Sequence, residues 1–100
     1  MKALFGKKST MNEERDLPRL KEIGSHLRAL RKGEGLSQDQ LAARCDLTKS
    51  NISNIENGKK DFNFTTFLEY AKGLKMPPKN LLDKDFEFIK SFFPPKQEEL

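Results

Sequence analysis

The chain has 100 residues, enough for one domain with a single modest core, and its 35% hydrophobic and 34% charged content is that of a folded, well-solvated domain. A net charge of +4 points towards a polyanionic partner, of which nucleic acid is the common case. With one cysteine (Cys45), one histidine (His26), no Ser/His/Asp set and no apolar run near the roughly 20 residues that span a bilayer, an intrachain disulfide, a zinc site, an enzyme, a cofactor and a membrane protein are all unexpected.

Residues 1–16 are polar and aperiodic and are read as a flexible N-terminal arm without a signal-peptide core, so a cytoplasmic, nucleoid-associated location is expected. From Leu17 the pattern turns helical. Leu20, Ile23, Leu27 and Leu30 recur at spacings of three and four, which puts them on one helix face, with Asp16 or a neighbour as cap and Gly33 and Gly35 as the stop. His26 is placed on the exposed face of this helix.

Ser37 followed by Gln40 is a capping box, flanked by Leu36 and Leu41 as a hydrophobic staple, so a second, short helix is predicted from Ser37 to about Cys45. Cys45 is expected to be a small core residue rather than a redox thiol. Leu47, the cap Thr48 and Ile52 repeat the pattern at once, and Gly58 suits the left-handed residue after a third helix over about 49–57. Two short helices so tightly joined must turn sharply and cross.

A fourth helix is predicted from near Asn63, with Phe64, Phe67, Leu68, Ala71 and Leu74 as its stripe and Gly73 and Pro77-Pro78 as its end. A fifth opens at Pro78 and carries Leu81 and Leu82. The expected architecture is all-α: a compact five-helix bundle with one folded domain over residues 17–84 and an aromatic tail over 85–100. Phe86, Phe88, Ile89, Phe92 and Phe93 in that tail either fold back over the bundle or form a dimer contact, and a homodimer depending on Phe88, Phe92 or Phe93 is expected.

In the third helix, Ile52 and Ile55 face inward, so Lys49, Ser50, Ser53, Asn54 and Asn57 face out. Lysine can donate to guanine, asparagine can pair with adenine, and serine suits either base edges or phosphates, which is what a helix entering the major groove needs. The segments Leu36-Ser37-Gln38-Asp39-Gln40-Leu41-Ala42 and Ile52-Ser53-Asn54-Ile55-Glu56-Asn57-Gly58-Lys59 together resemble the helix-turn-helix of the lambdoid phage repressor and Cro (XRE-type) family over about residues 20–83.

The resemblance implies the lambda-repressor-like bundle and a sequence-specific transcription regulator of double-stranded DNA, most simply a repressor acting on an inverted-repeat operator. By position it implies that Lys49, Ser50 and Asn54 read bases. Gln38, Asn51, Ser53, Asn57, Lys59 and Lys60 would hold phosphates, with Gln38 also bracing the third helix. Arg31 and Glu56 would form a buried ion pair, and Ala42 would be the small residue that lets the two helices cross. Asp46 stands where the family usually has a turn glycine, and is expected to accept the left-handed conformation at some cost. The loop Asp61-Phe62-Asn63-Phe64 resembles that of restriction-modification controller proteins of the same superfamily. The alternative function is an antitoxin-like or controller-like regulator that also binds a protein partner, the antitoxin reading being kept open by the aromatic tail.

Overall fold

A computed structural model describes residues 11–93; residues 1–10 of the expected arm and 94–100 of the tail lie outside the described residues. The described chain is all-helical: α1 (Glu13–Gly33), α2 (Gln38–Ala42), α3 (Lys49–Glu56) and α4 (Phe64–Leu74), followed by 3-10 segments at Pro78–Leu82 and Glu87–Ser91. None of its helices is long and apolar enough to cross a membrane.

The first helix starts four residues before the expected Leu17. The Asn12 side chain accepts from the Arg15 amide at 3.1 Å, and Glu13, Glu14 and Asp16 place negative charge in the first turn, where the helix dipole favours it. Apolar periodicity cannot detect a cap in a polar stretch, so the turn Glu13–Asp16 carries no apolar signal that separates it from an arm. The second helix stops at Ala42 rather than Cys45, because the chain tightens into i→i+3 bonds from the amides of Arg44 and Cys45. The expected fifth helix is a 3-10 segment, whose five residues leave room for little beyond single i→i+3 turns, such as the one from the Asp83 amide to the Asn80 carbonyl.

Leu27, Leu41, Ile52, Tyr70, Leu74 and Leu81 are fully enclosed, and Leu20, Leu36, Ile55, Phe67, Ala71 and Phe86 complete the buried set. Each large side chain so buried contributes about 1.5–3 kcal/mol. Ile23 and Leu30 are only partly buried, and Phe64, expected in the stripe of α4, is 70% exposed although it stacks on Phe67. Gly73 does not end α4. It lies inside the helix, where an added Cβ would stand 2.5 Å from Leu41 Cδ1, and the helix ends at Lys75 in the left-handed conformation (φ 59°). Cys45 beside it is half-buried, donates to the Leu41 carbonyl, and has its thiol pushed up mainly by burial.

The tail docks on α1. Phe86 is buried and meets His26 edge-on at 5.4 Å, so His26 is half-buried rather than exposed; burial and then Lys84 hold its imidazole below the ordinary value, against the opposing pull of Asp83. The Glu22 carboxylate accepts from the amides of Glu87 and, at 3.1 Å, Phe88, which satisfies the start of the last 3-10 segment. Arg19 lies 4.9 Å over the Phe92 ring.

Candidate nucleic-acid interface

Two reciprocal capping boxes build the α2–α3 unit. The Gln40 amide donates to Ser37 Oγ at 3.0 Å, and the Ser37 amide donates to Gln40 Oε1 at 2.8 Å. The Asn51 amide donates to Thr48 Oγ1 at 3.0 Å, and the Thr48 amide to Asn51 Oδ1 at 3.1 Å. Each box fixes where a short helix begins, and neither helix is long enough to be stable by itself. Between them Asp46 keeps a negative φ, contrary to the left-handed conformation expected there. Its amide is taken up by Glu69 Oε1 at 2.7 Å, so the turn is stabilised from α4 instead of by a special backbone conformation.

Glu56 holds α3 in place. Its Oε2 accepts from Arg31 Nε at 2.7 Å and from the Tyr70 hydroxyl at 2.6 Å; its Oε1 accepts from Arg31 Nη2 at 2.9 Å and from Gln38 Nε2 at 3.1 Å. Arg31 Nη1 also donates to the Leu36 carbonyl at 2.7 Å. One buried carboxylate thus joins all four α-helices. Burial alone would push Glu56 up, but the hydrogen bonds from Arg31, Tyr70 and Gln38 outweigh it and hold its carboxyl below the ordinary range. Burial and the neighbouring carboxylate push the Tyr70 hydroxyl strongly up, so it remains a neutral donor. The ion pair implied by the resemblance is present, with side chains 6% and 1% exposed. Tyr70, which the sequence reading did not single out, completes it.

α1 passes directly behind α3 at Gly24. An added Cβ there would stand 2.3 Å from the Ile55 carbonyl oxygen and 2.7 Å from that of Glu56, so only glycine lets the two backbones approach this closely. Gly58, left-handed at φ 64°, lays the loop after α3 against the backbone of Lys21 in the same way.

With its inner face so held, α3 presents Lys49, Ser50 and Asn51 as exposed residues, and Ser53 and Asn54 half-buried beside them. Lys49 Nζ lies 3.5 Å from Asp39 on α2, an exposed pair worth about 0–1 kcal/mol, so the ammonium is easily diverted to another anion. The side-chain Oδ1 of the exposed Asn51 is committed to the cap, leaving its Nδ2 as a further donor. Asn57 Nδ2 donates to Ser53 Oγ at 3.3 Å, tying these two together at the end of the helix. Asn54 lines a shallow concavity with Asn51, Lys60, Asp61, Asn63 and Thr66. Lys59 and Lys60 are exposed in the following loop. Gln38 Nε2 spends one hydrogen on Glu56 and keeps the other. The expected base-reading residues therefore share one helix face. Of the expected phosphate-binding residues, Gln38 stands at the start of α2, Asn51 and Ser53 on α3, and Asn57, Lys59 and Lys60 at its end.

A family model described as a helix-turn-helix domain matches residues 24–85. The control protein C.BamHI of Bacillus amyloliquefaciens is 36% identical over 62 residues, covering 61% of this chain and 76% of that protein. The competence pilus inhibition repressor of Acinetobacter baylyi is 47% identical over 49 residues, 49% of this chain and 44% of the repressor, so the chain spans less than half of that relative's length. The crystal structure of the restriction-modification controller protein C.AhdI from Aeromonas hydrophila superposes with a TM-score of 0.61 at 33% identity, over 64% of this chain and 97% of that one.

Proposed function

The chain belongs to the helix-turn-helix family of the phage-repressor and Cro (XRE) type, and on that premise we propose that it is a sequence-specific double-stranded-DNA-binding transcription regulator that inserts α3 in the major groove. One observation supports this above the rest. Glu56, Ile52 and Ile55 fix the inner face of α3, while Lys49, Ser50 and Asn54 on its outer side serve no part of the core. In this reading those three contact bases, and Gln38, Asn51, Ser53, Asn57, Lys59 and Lys60 hold the flanking phosphates. The bundle is of the lambda-repressor-like type, with the family's fifth helix shortened to the 3-10 segment at Pro78–Leu82, residues 17–84 as its DNA-binding unit and the cytoplasm as its location. The likeness to two control proteins favours a controller-like regulator over a dedicated antitoxin.

Fluorescence anisotropy on a duplex recovered by selection from random DNA tests the proposal. With roughly 6–10 phosphate contacts per dimer, affinity should fall by about 10³–10⁵ between about 50 and 200 mM salt. Asn54→Ala should cost about 1–3 kcal/mol and relax preference at one base position, whereas Lys60→Ala should weaken all sequences alike. A flat salt response would remove DNA from the reading, and identical behaviour of the two variants across a site library would undo the division of roles.

A homodimer on an inverted repeat is part of the same proposal. Packing of the tail in cis covers Phe86 but leaves Ile89 36%, Phe92 45% and Phe93 75% exposed, a cluster that a second copy would bury. Sedimentation at micromolar concentration should show a dimer for the intact chain and a monomer for Phe92→Ser/Phe93→Ser. If Phe64→Ser disrupts the dimer instead, the contact lies on the face of Phe64, Phe67 and Leu82, away from the tail.

A further inference from the structure

We propose that the DNA-phosphate surface continues beyond the loop after α3 onto α1, with Lys21 as a further phosphate-binding residue and Arg28 extending the same track along one strand of the duplex. This rests on the DNA-binding reading above and adds an element to it.

The juxtaposition comes from Gly58. Because that residue has no side chain, the loop carrying Lys59 and Lys60 settles on α1, and an added Cβ would lie 2.5 Å from Lys21 Cα and 2.6 Å from its amide nitrogen. Lys21 is therefore a direct neighbour of the proposed backbone-gripping loop, although the two are separated by more than 30 positions in sequence. Lys21, Lys59 and Lys60 are all exposed, and none has a carboxylate partner among the described ion pairs.

The helix carries the charge onward. Residues seven apart are about two turns apart and return to nearly the same face, which places Arg28 in line with Lys21 at a rise of about 10 Å. Ser25 and Lys32 flank that line, and all four are exposed. Glu22, the adjoining carboxylate, lies about 100° further round and is occupied by the tail amides. The exposed line of Lys21, Ser25, Arg28 and Lys32 holds no large apolar side chain, so it suits a polyanionic backbone and not the apolar layer of a membrane.

The test uses the full chain and a random-sequence duplex, with binding followed against salt for the wild type, Lys21→Gln, Lys21→Gln/Arg28→Gln and Lys90→Gln. Lys90 is an exposed cation on the tail, which docks on the side of α1 that carries Glu22, so it controls for the loss of one charge. Each lost contact should shrink the affinity drop between about 50 and 200 mM salt by about 3.5-fold per protomer, whatever the sequence. Lys21→Gln should show this once, the double variant twice, and Lys90→Gln not at all, with thermal melting unchanged throughout. A steep wild-type response matched by Lys21→Gln would overturn this inference and leave the DNA reading standing. A wild type indifferent to salt would overturn both.

Discussion

Arg31→Ala is expected to destabilise the domain by about 3–5 kcal/mol, the penalty for leaving a buried charge without its partner. Glu56 would keep Tyr70 and Gln38 as donors but lose two of its four hydrogen bonds and its counter-charge, and the Leu36 carbonyl would lose its donor as well. A domain of this size has only about 5–15 kcal/mol to lose, so urea unfolding should show a midpoint displaced by a large fraction of its value, or no folded baseline. Arg31→Lys supplies a charge without the planar fork and should fall between alanine and wild type. If Arg31→Ala costs less than about 1 kcal/mol, the carboxylate is not held as described.

The same group sets a pH dependence. The Glu56 carboxyl lies below its ordinary 4.5 in the folded chain, so its contribution is fully present above that value and is lost as pH falls through the lower, folded one. Glu56→Gln should remove that part of the acid sensitivity while lowering stability at neutral pH.

Gly24→Ala should be destabilising by about 3 kcal/mol, although helix propensity alone predicts a gain of about 1 kcal/mol at an interior glycine. The methyl would lie 2.3 Å from one carbonyl oxygen of α3 and 2.7 Å from the next, and these are backbone atoms with no rotamer to change. Relief requires α1 and α3 to separate, which would stretch the Arg31–Glu56 contacts a few residues away. The variant should therefore lose melting temperature and also lose affinity for its DNA site while still folded. A Gly24→Ala chain more stable than wild type would show that the two helices do not cross this closely.

The contrast between these two positions explains what could be read from the sequence. Capping boxes are local, so Ser37 with Gln40 located α2 from the residue types alone, and Thr48 located the start of α3 in the same way. The ion pair of Arg31 and Glu56 followed from resemblance, because residues 25 positions apart leave no local trace of contact. Gly24, Tyr70 and Glu22 were not recognised for the same reason: each acts on a group 31 or more positions away or on another helix, such as the carbonyls of Ile55 and Glu56 or the amides of Glu87 and Phe88. Apolar spacing identified the stripe of α4, but it could not tell that Phe67 is covered while Phe64 is left in solvent. The turn at Asp46 departs from the left-handed expectation because the compensating Glu69 lies 23 positions further on, beyond the reach of local pattern.

The division of α3 into a pinned side and a free side bears on how such a regulator can acquire new targets. Ile52, Ile55 and Glu56 determine where the helix lies, and Lys49 and Ser50 stand in solvent with no neighbour in the core to satisfy. Exchanges at those two positions should therefore be nearly neutral for folding, since surface substitutions away from such features usually stay within about 0.5 kcal/mol. Duplicated copies of the gene can drift there without passing through an unfolded intermediate, and a laboratory library randomised at the same positions should consist mostly of folded proteins that differ in the operators they prefer.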